Sequence, residues 1–345
     1  MRIAHVRERN AAAGTPWRLA ARLDGGRWLD LEAARRRLAS RDARLAHNEA
    51  LFREPVTTLD AQLSAGRRIE ALRALVEPFL ERREMLEEDA DEGGELTLAE
   101  PDVVFGPPVL RPPSVRDFYA FEGHVRTMWA RRQQEVPEAW YRLPIFYFSN
   151  VSEIRGPGDP VWAPRGSAEL DYELEVAALI DTPARDLPAE RAEEAIGGYT
   201  IFNDWSARDL QREETQVRLG PAKGKDFAST FGPCLVTPDE LADARAGKGY
   251  DLAMTAEVNG RQLSRGSWAD IQFSFGDMLA RASADVRLVP GDLVGSGTVG
   301  TGCLLEIRDE QQLGHYLHPG DEVVLRVERL GELRTPVIEP GRRWA

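Results

Sequence analysis

The sequence predicts an α+β, β-dominated fold: a small N-terminal α+β unit, residues 1–105, followed by a larger strand-rich unit, residues 106–345. Three observations carry this. A chain of 345 residues is long enough for about two domains of ~150 residues each. Segment 103–113 holds four prolines and reads as a stiff connector. Beyond it, turn signals and apolar stretches alternate. Pro-Gly-Asp recurs at 157–159, 290–292 and 319–321, each time ahead of an apolar run.

The elements follow in order. Residues 17–23 alternate, Asp24-Gly25-Gly26 is a hairpin turn, and 27–31 resume the strand. Two helical patterns come next. One covers about 30–51 and is rich in Ala, Arg and Leu. The other covers about 68–85, with Ile69, Leu72, Leu75, Val76, Phe79 and Leu80 on one face. Residues 87–95 are acidic with two glycines, a solvated loop. A helix is expected from Ser114 or Arg116 to Arg132. Residues 251–258 alternate, with Leu252, Met254, Ala256 and Val258 on one face, and Asn259-Gly260 closes a type I′ hairpin. Residues 286–299 and 323–330 are further strands, and 274–282 a helix.

Composition limits the function. Hydrophobic residues at 42% and charged residues at 29% describe an ordinary globular chain. The net charge of −13 argues against nucleic-acid or anionic-membrane partners, which need a positive surface. No apolar stretch approaches the ~18 residues of a membrane span. The first residues lack the apolar core of a signal peptide. Cys234 and Cys303 lie too far apart for a CxxC site or a disulfide framework, which fits a reducing cytoplasm. Five histidines are too few for a His-rich metal site, so the carboxylates draw attention.

In the extended stretch Leu170-Asp171-Tyr172-Glu173-Leu174-Glu175-Val176, residues two apart share a face. Glu173 and Glu175 therefore project together where a wholly apolar strand begins. Two adjacent carboxylates there call for a positive partner, and a divalent cation serves. The competing reading is a solvated edge strand. In Asn203-Asp204-Trp205-Ser206-Ala207-Arg208-Asp209-Leu210-Gln211, an apolar strand runs directly into Asp204, a natural position for a ligand to a hard metal ion. Asp204 as the cap of a short helix competes with it. Asp117 and His124 are seven apart, ~10.5 Å along one helix face if the segment is helical. In 295–306, small residues let the backbone approach a ligand closely, ahead of Glu306.

Taken together these stretches resemble the fumarylacetoacetate hydrolase family. The matching phrases are Asp117-Phe118-Tyr119 with His124, Asp171-x-Glu173-x-Glu175, the string from Asn203 through Gln211, Gly224-Lys225-Asp226-Phe227, and Gly295-Ser296-Gly297-Thr298 with Glu306. The resemblance spans about 105–340. It implies the family's mixed β-sandwich or β-roll, and one metal ion, Mg²⁺ or alternatively Ca²⁺ or Mn²⁺, held by Asp117, Glu173, Glu175 and Asp204. It further implies His124 as general base, oriented by Glu306, with Arg208 holding that glutamate. Gln211 and Lys225, with Lys223 as competitor, would steady negative charge on the substrate, and Tyr147 and Thr298 would contact it. The implied reaction is hydrolysis of a carbon–carbon bond in a β-diketo acid by a homodimer. A decarboxylase, dehydratase or isomerase of 2-oxo acids is the alternative within the same family.

Overall fold

The computed structural model of the chain describes residues 1–42, 50–82, 84–86, 96–307 and 315–341. One mixed twelve-stranded sheet dominates it. Along its main path the strands are Thr97–Ala99, Arg27–Asp30, Arg18–Leu23, Arg2–Glu8, Ser229–Val236, Ile196–Asp204, Leu174–Ile180, Leu293–Gly295, Val115–Phe118 and Phe146–Ser149. Most neighbours are antiparallel, but Val115–Phe118 runs parallel to Leu293–Gly295. A second, four-stranded sheet is built from Arg261–Ser267, Ala253–Val258, Glu322–Val327 and Gly331–Pro336.

The division at 105/106 is a proposal from composition, and strand pairing crosses it. Arg2 and Ile3 pair with Val236 and Leu235. The N-terminal helices cover one face of the large sheet, where Ala177, Leu179, Phe202, Phe231 and Leu293 join Leu31, Leu72, Leu75 and Phe79 in one apolar cluster. The opposite face offers Val176, Ala178, Ile180, Tyr199 and Ile201 to a cluster that includes Met254, Ala256, Val323 and Leu325 of the small sheet. Leu174–Ile180 is therefore buried on both sides, which is why it reads as a continuous apolar run.

The turn signals fold as the sequence suggests. Asn259 and Gly260 both take positive φ, 53° and 76°, between the paired residues Val258 and Arg261. Each Pro-Gly-Asp glycine is left-handed, and each aspartate accepts the amide three residues before it: Gly156 N at 2.7 Å, Val289 N at 2.8 Å and His318 N at 2.7 Å. The expected helix over 30–51 appears as Leu31–Arg41, capped by Asp30, and Ala50–Arg53; 43–49 lie outside the described residues, as does the acidic stretch 87–95. The pattern over 68–85 forms a 3₁₀ turn, Ile69–Leu72, and the helix Arg73–Glu81. Only Leu293–Gly295 of the expected 286–299 strand is extended.

One expectation fails where it matters. No helix begins at 114 or 116. Val115–Phe118 is a buried strand, and the helix is Glu122–Arg131. Pairing with Leu293–Gly295, about 180 residues later, overrides local propensity there. Asp117 and His124 therefore come from different elements.

Candidate functional site

Period-two alternation brings the carboxylates together. Val115, Ala177, Leu179 and Phe202 face the N-terminal cluster. Asp117, Glu175 with Glu173, and Asp204 continue the same parity at the ends of those strands. All four are buried, and one oxygen from each lies within 4.8 Å of the others. The reading of Glu173 and Glu175 as a solvated edge is excluded. Gly295 sits between Asp117 and Ala177 in the sheet. A Cβ there would meet Asp117 Oδ1 at 2.5 Å and Phe202 at 2.9 Å, so only glycine lets Asp117 reach the other acids. Gly297, at φ +78°, sends its amide to Glu175 at 2.9 Å.

The string from Asn203 to Asp209 assembles this site residue by residue. Asn203 Oδ1 accepts the Glu173 amide at 3.0 Å. The Trp205 ring is fully buried and donates to Thr230 at 2.8 Å. Ser206 and Ala207 pair with Asp171 and Leu170. Arg208 Nε donates to Asp171 at 2.8 Å, its Nη2 lies 2.8 Å from Glu173, and its Nη1 donates to Gln211 at 3.1 Å. Asp209 fastens Ser167 and Ala168. Arg208 thus holds Asp171 and Glu173, not Glu306 as the resemblance implied. The competition between the lysines is resolved in the same region. The Glu214 carboxylate accepts the amides of Ala222, Lys223 and Gly224, fixing the loop so that Lys225 turns inward to Glu173 and Asp204, each at 2.5 Å. Lys223 stays exposed beside Asp226.

The electrostatics are those of a charge-deficient cup. Burial, then the neighbouring Asp204, pushes Asp117 well above the usual carboxylate range. Burial, then Asp117, does the same to Glu175. Burial also raises Asp204 although Lys225 opposes it. At Glu173 burial acts upward, but Lys225 and Arg208 outweigh it and hold the group low. Asp204 Oδ1 is buried without a hydrogen-bond partner among the described residues, while Oδ2 accepts from Tyr147 and Lys225 at 2.5 Å each. An orphaned carboxylate oxygen, four hard donors and too few cations fit a divalent ion such as Mg²⁺.

His124 and Glu306 face each other across the same site, Nδ1 to Oε1 at 2.8 Å, both buried. The cavity that His124 shares with the cup measures about 420 Å³ and is lined by all the expected site residues except Asp204 and Glu306. Asp204 closes its floor through Tyr147, and Glu306 stands behind His124. Thr298 Oγ1 donates to Glu175 at 3.3 Å.

Asp171 shares parity with 173 and 175, but the resemblance assigns it no role. It is fully buried and accepts the amides of Leu304, at 2.8 Å, and Leu305, at 3.0 Å, as well as Arg208. These amides open the turn Leu304–Ile307 that carries Glu306. Asp171 therefore ties the segment that bears Glu306 to the cup. Asp171→Asn is expected to lower kcat about 10–100-fold with KM little changed. It should also destabilise the fold, because the amide turns an N–H toward donors that Asp171 now accepts: Arg208 Nε and the amides of Leu304 and Leu305. Kinetics and urea melts check both, and wild-type kcat would refute the link.

The chain is 33% identical over 200 residues to 2,4-didehydro-3-deoxy-L-rhamnonate hydrolase of Sphingomonas sp. (strain SKA58), covering 57% of this chain and 65% of that one. It is 31% identical over 208 residues to mitochondrial oxaloacetate tautomerase FAHD2A of Homo sapiens, covering 60% and 62%. The matches thus span less than two thirds of either relative. Maleylpyruvate hydrolase from Sphingobium sp. SYK-6 has the same fold, with a TM-score of 0.65 at 20% identity over 99% of this chain and 100% of that one. A family model described as fumarylacetoacetate (FAA) hydrolase C-terminal matches residues 114–338, more than half of the chain, and includes the cup, the dyad and Lys225. The chain belongs to the fumarylacetoacetate hydrolase family.

Proposed function

We propose that the protein is a metal-dependent hydrolase that cleaves a carbon–carbon bond in a β-diketo acid of the acylpyruvate or fumarylacetoacetate type. We infer further, from the family likeness and the two unpaired cysteines, that it acts as a cytoplasmic homodimer. The observation that carries the catalytic reading is the His124–Glu306 hydrogen bond of 2.8 Å at the wall of the cavity that holds the four-carboxylate cup.

Asp117, Glu173, Glu175 and Asp204 would hold the ion. When bound, it supplies Lewis-acid polarisation of the diketone oxygens. The chain's own residues do the rest. The Glu306 carboxylate can only accept, so Nδ1 of His124 carries the proton and Nε2 keeps its lone pair. Nε2 takes a proton from water as that water attacks the carbonyl carbon. The imidazolium formed is stabilised by Glu306; the scissile bond breaks to leave an enolate, and the imidazolium returns its proton to the enolate carbon, which restores the base. Lys225 and Gln211 line the same cavity and present positive charge and an amide to the developing anion. Tyr147 and Thr298 bound the space beside it.

The relative named as an oxaloacetate tautomerase supports the other reading, keto–enol isomerisation of a 2-oxo acid on the same residues. A substrate panel with Mg²⁺ separates the two. Acetylpyruvate, fumarylpyruvate and fumarylacetoacetate should lose enol absorbance as two acids appear. Conversion of oxaloacetate, with no acid released from any acylpyruvate, would reverse the assignment.

A further inference from the structure

Far along the chain from the cup, His315, His318 and Asp321 form a second group of donors, with one ligand atom from each within 4.8 Å of the others. Both imidazoles are exposed and cross edge to face, their centroids 4.8 Å apart. Neighbours fix the orientation of His315 and of Asp321. Nδ1 of His315 lies 2.7 Å from the Tyr316 carbonyl oxygen, which can only accept, so Nδ1 carries the proton and Nε2 offers its lone pair. Asp321 is held on both oxygens: Asn259 Nδ2 donates to Oδ1 at 2.7 Å and the His318 amide to Oδ2 at 2.7 Å. Backbone carbonyls behind histidines and amides behind carboxylates are the outer partners that orient metal ligands. The left-handed Gly320 turn places Asp321 three residues after His318.

We propose that His315, His318 and Asp321 bind a borderline divalent cation of the zinc class, at a site separate from the carboxylate cup. Two imidazole nitrogens and one carboxylate oxygen match Zn²⁺ and leave a position for water. The all-oxygen cup suits Mg²⁺, so donor chemistry sorts the two ions between the two sites. The ion would tie segment 315–321 to the Asn259-Gly260 hairpin. That segment also supports the active site, because the Leu317 amide donates to the Leu170 carbonyl at 2.9 Å, next to Asp171.

The test is zinc binding to the full chain by titration calorimetry, in excess Mg²⁺ to keep the cup filled. Wild-type protein should bind one equivalent of Zn²⁺ more than His318→Ala. Asn259→Ala, which removes one of the two groups holding Asp321, should keep that equivalent with about tenfold weaker affinity. Zinc should raise the melting temperature of wild type and not of His318→Ala. If His318→Ala does not fold, His315→Gln takes its place. Equal zinc stoichiometry in wild type and a folded histidine variant would overturn the site, as would displacement of that equivalent by Mg²⁺.

Discussion

Replacing His124 with alanine is expected to lower kcat by about 10²–10⁴-fold while Mg²⁺ binding stays intact. The separation follows from geometry. His124 stands on the helix Glu122–Arg131, whereas the four acids stand on strand ends. Among the described residues its side-chain hydrogen bond goes to Glu306, not to the cup. On the proposed mechanism, deleting the ring removes the base and leaves the four carboxylates as they were. A Mg²⁺-dependent rise in melting temperature should therefore match wild type, and added imidazole should restore part of the lost rate. Glu306→Gln should also slow turnover, because the amide no longer stabilises the imidazolium. Full activity in His124→Ala would remove the base from the mechanism, and loss of the metal response would move His124 into the cup.

The parts of this site legible in the sequence were those whose signal is local. The alternation of 171, 173 and 175 placed the glutamates on one face, because a strand's period holds wherever the strand goes. The string from Asn203 to Gln211 could be read because almost every residue in it has a fixed task within the same few ångströms. Other features depend on partners distant in sequence. Four residues, 115–118, are too few to show a period, and their strand exists only because Leu293–Gly295 lies beside them. Gly295 looks like any glycine until Asp117 is seen crossing it. Arg208 was given to Glu306, but its guanidinium is claimed by Asp171, which the pairing of 206–207 with 170–171 brings into reach. Nor did the composition change near residue 105 reveal that the first strand pairs with Ser229–Val236.

Glu175→Gln is expected to abolish the metal response and, without metal, to make the protein more stable than wild type. Glu175 is fully buried, accepts the Gly297 amide at 2.9 Å, and lies against Asp117. Burial and Asp117 raise its pKa well above the ordinary 4.5. In the metal-free protein the folded state therefore binds a proton that the unfolded state releases. The stability this proton confers is complete below pH 4.5 and is lost as pH rises through the raised folded value. At pH 7 the cup is consequently expected to weaken the metal-free fold, a cost that metal binding would offset by mass action, roughly 2.7 kcal/mol at a hundred times Kd. Glutamine has the same shape, keeps an oxygen for the Gly297 amide, turns an N–H toward Asp117 and does not titrate. Metal-free Glu175→Gln should melt higher than metal-free wild type at pH 7, with the difference shrinking toward pH 4.5. Mg²⁺ should raise the melting temperature of wild type only, and turnover should vanish with that response. A variant that melts lower than metal-free wild type would mean that the acids are not in conflict, and an undiminished Mg²⁺ shift would place the ion elsewhere.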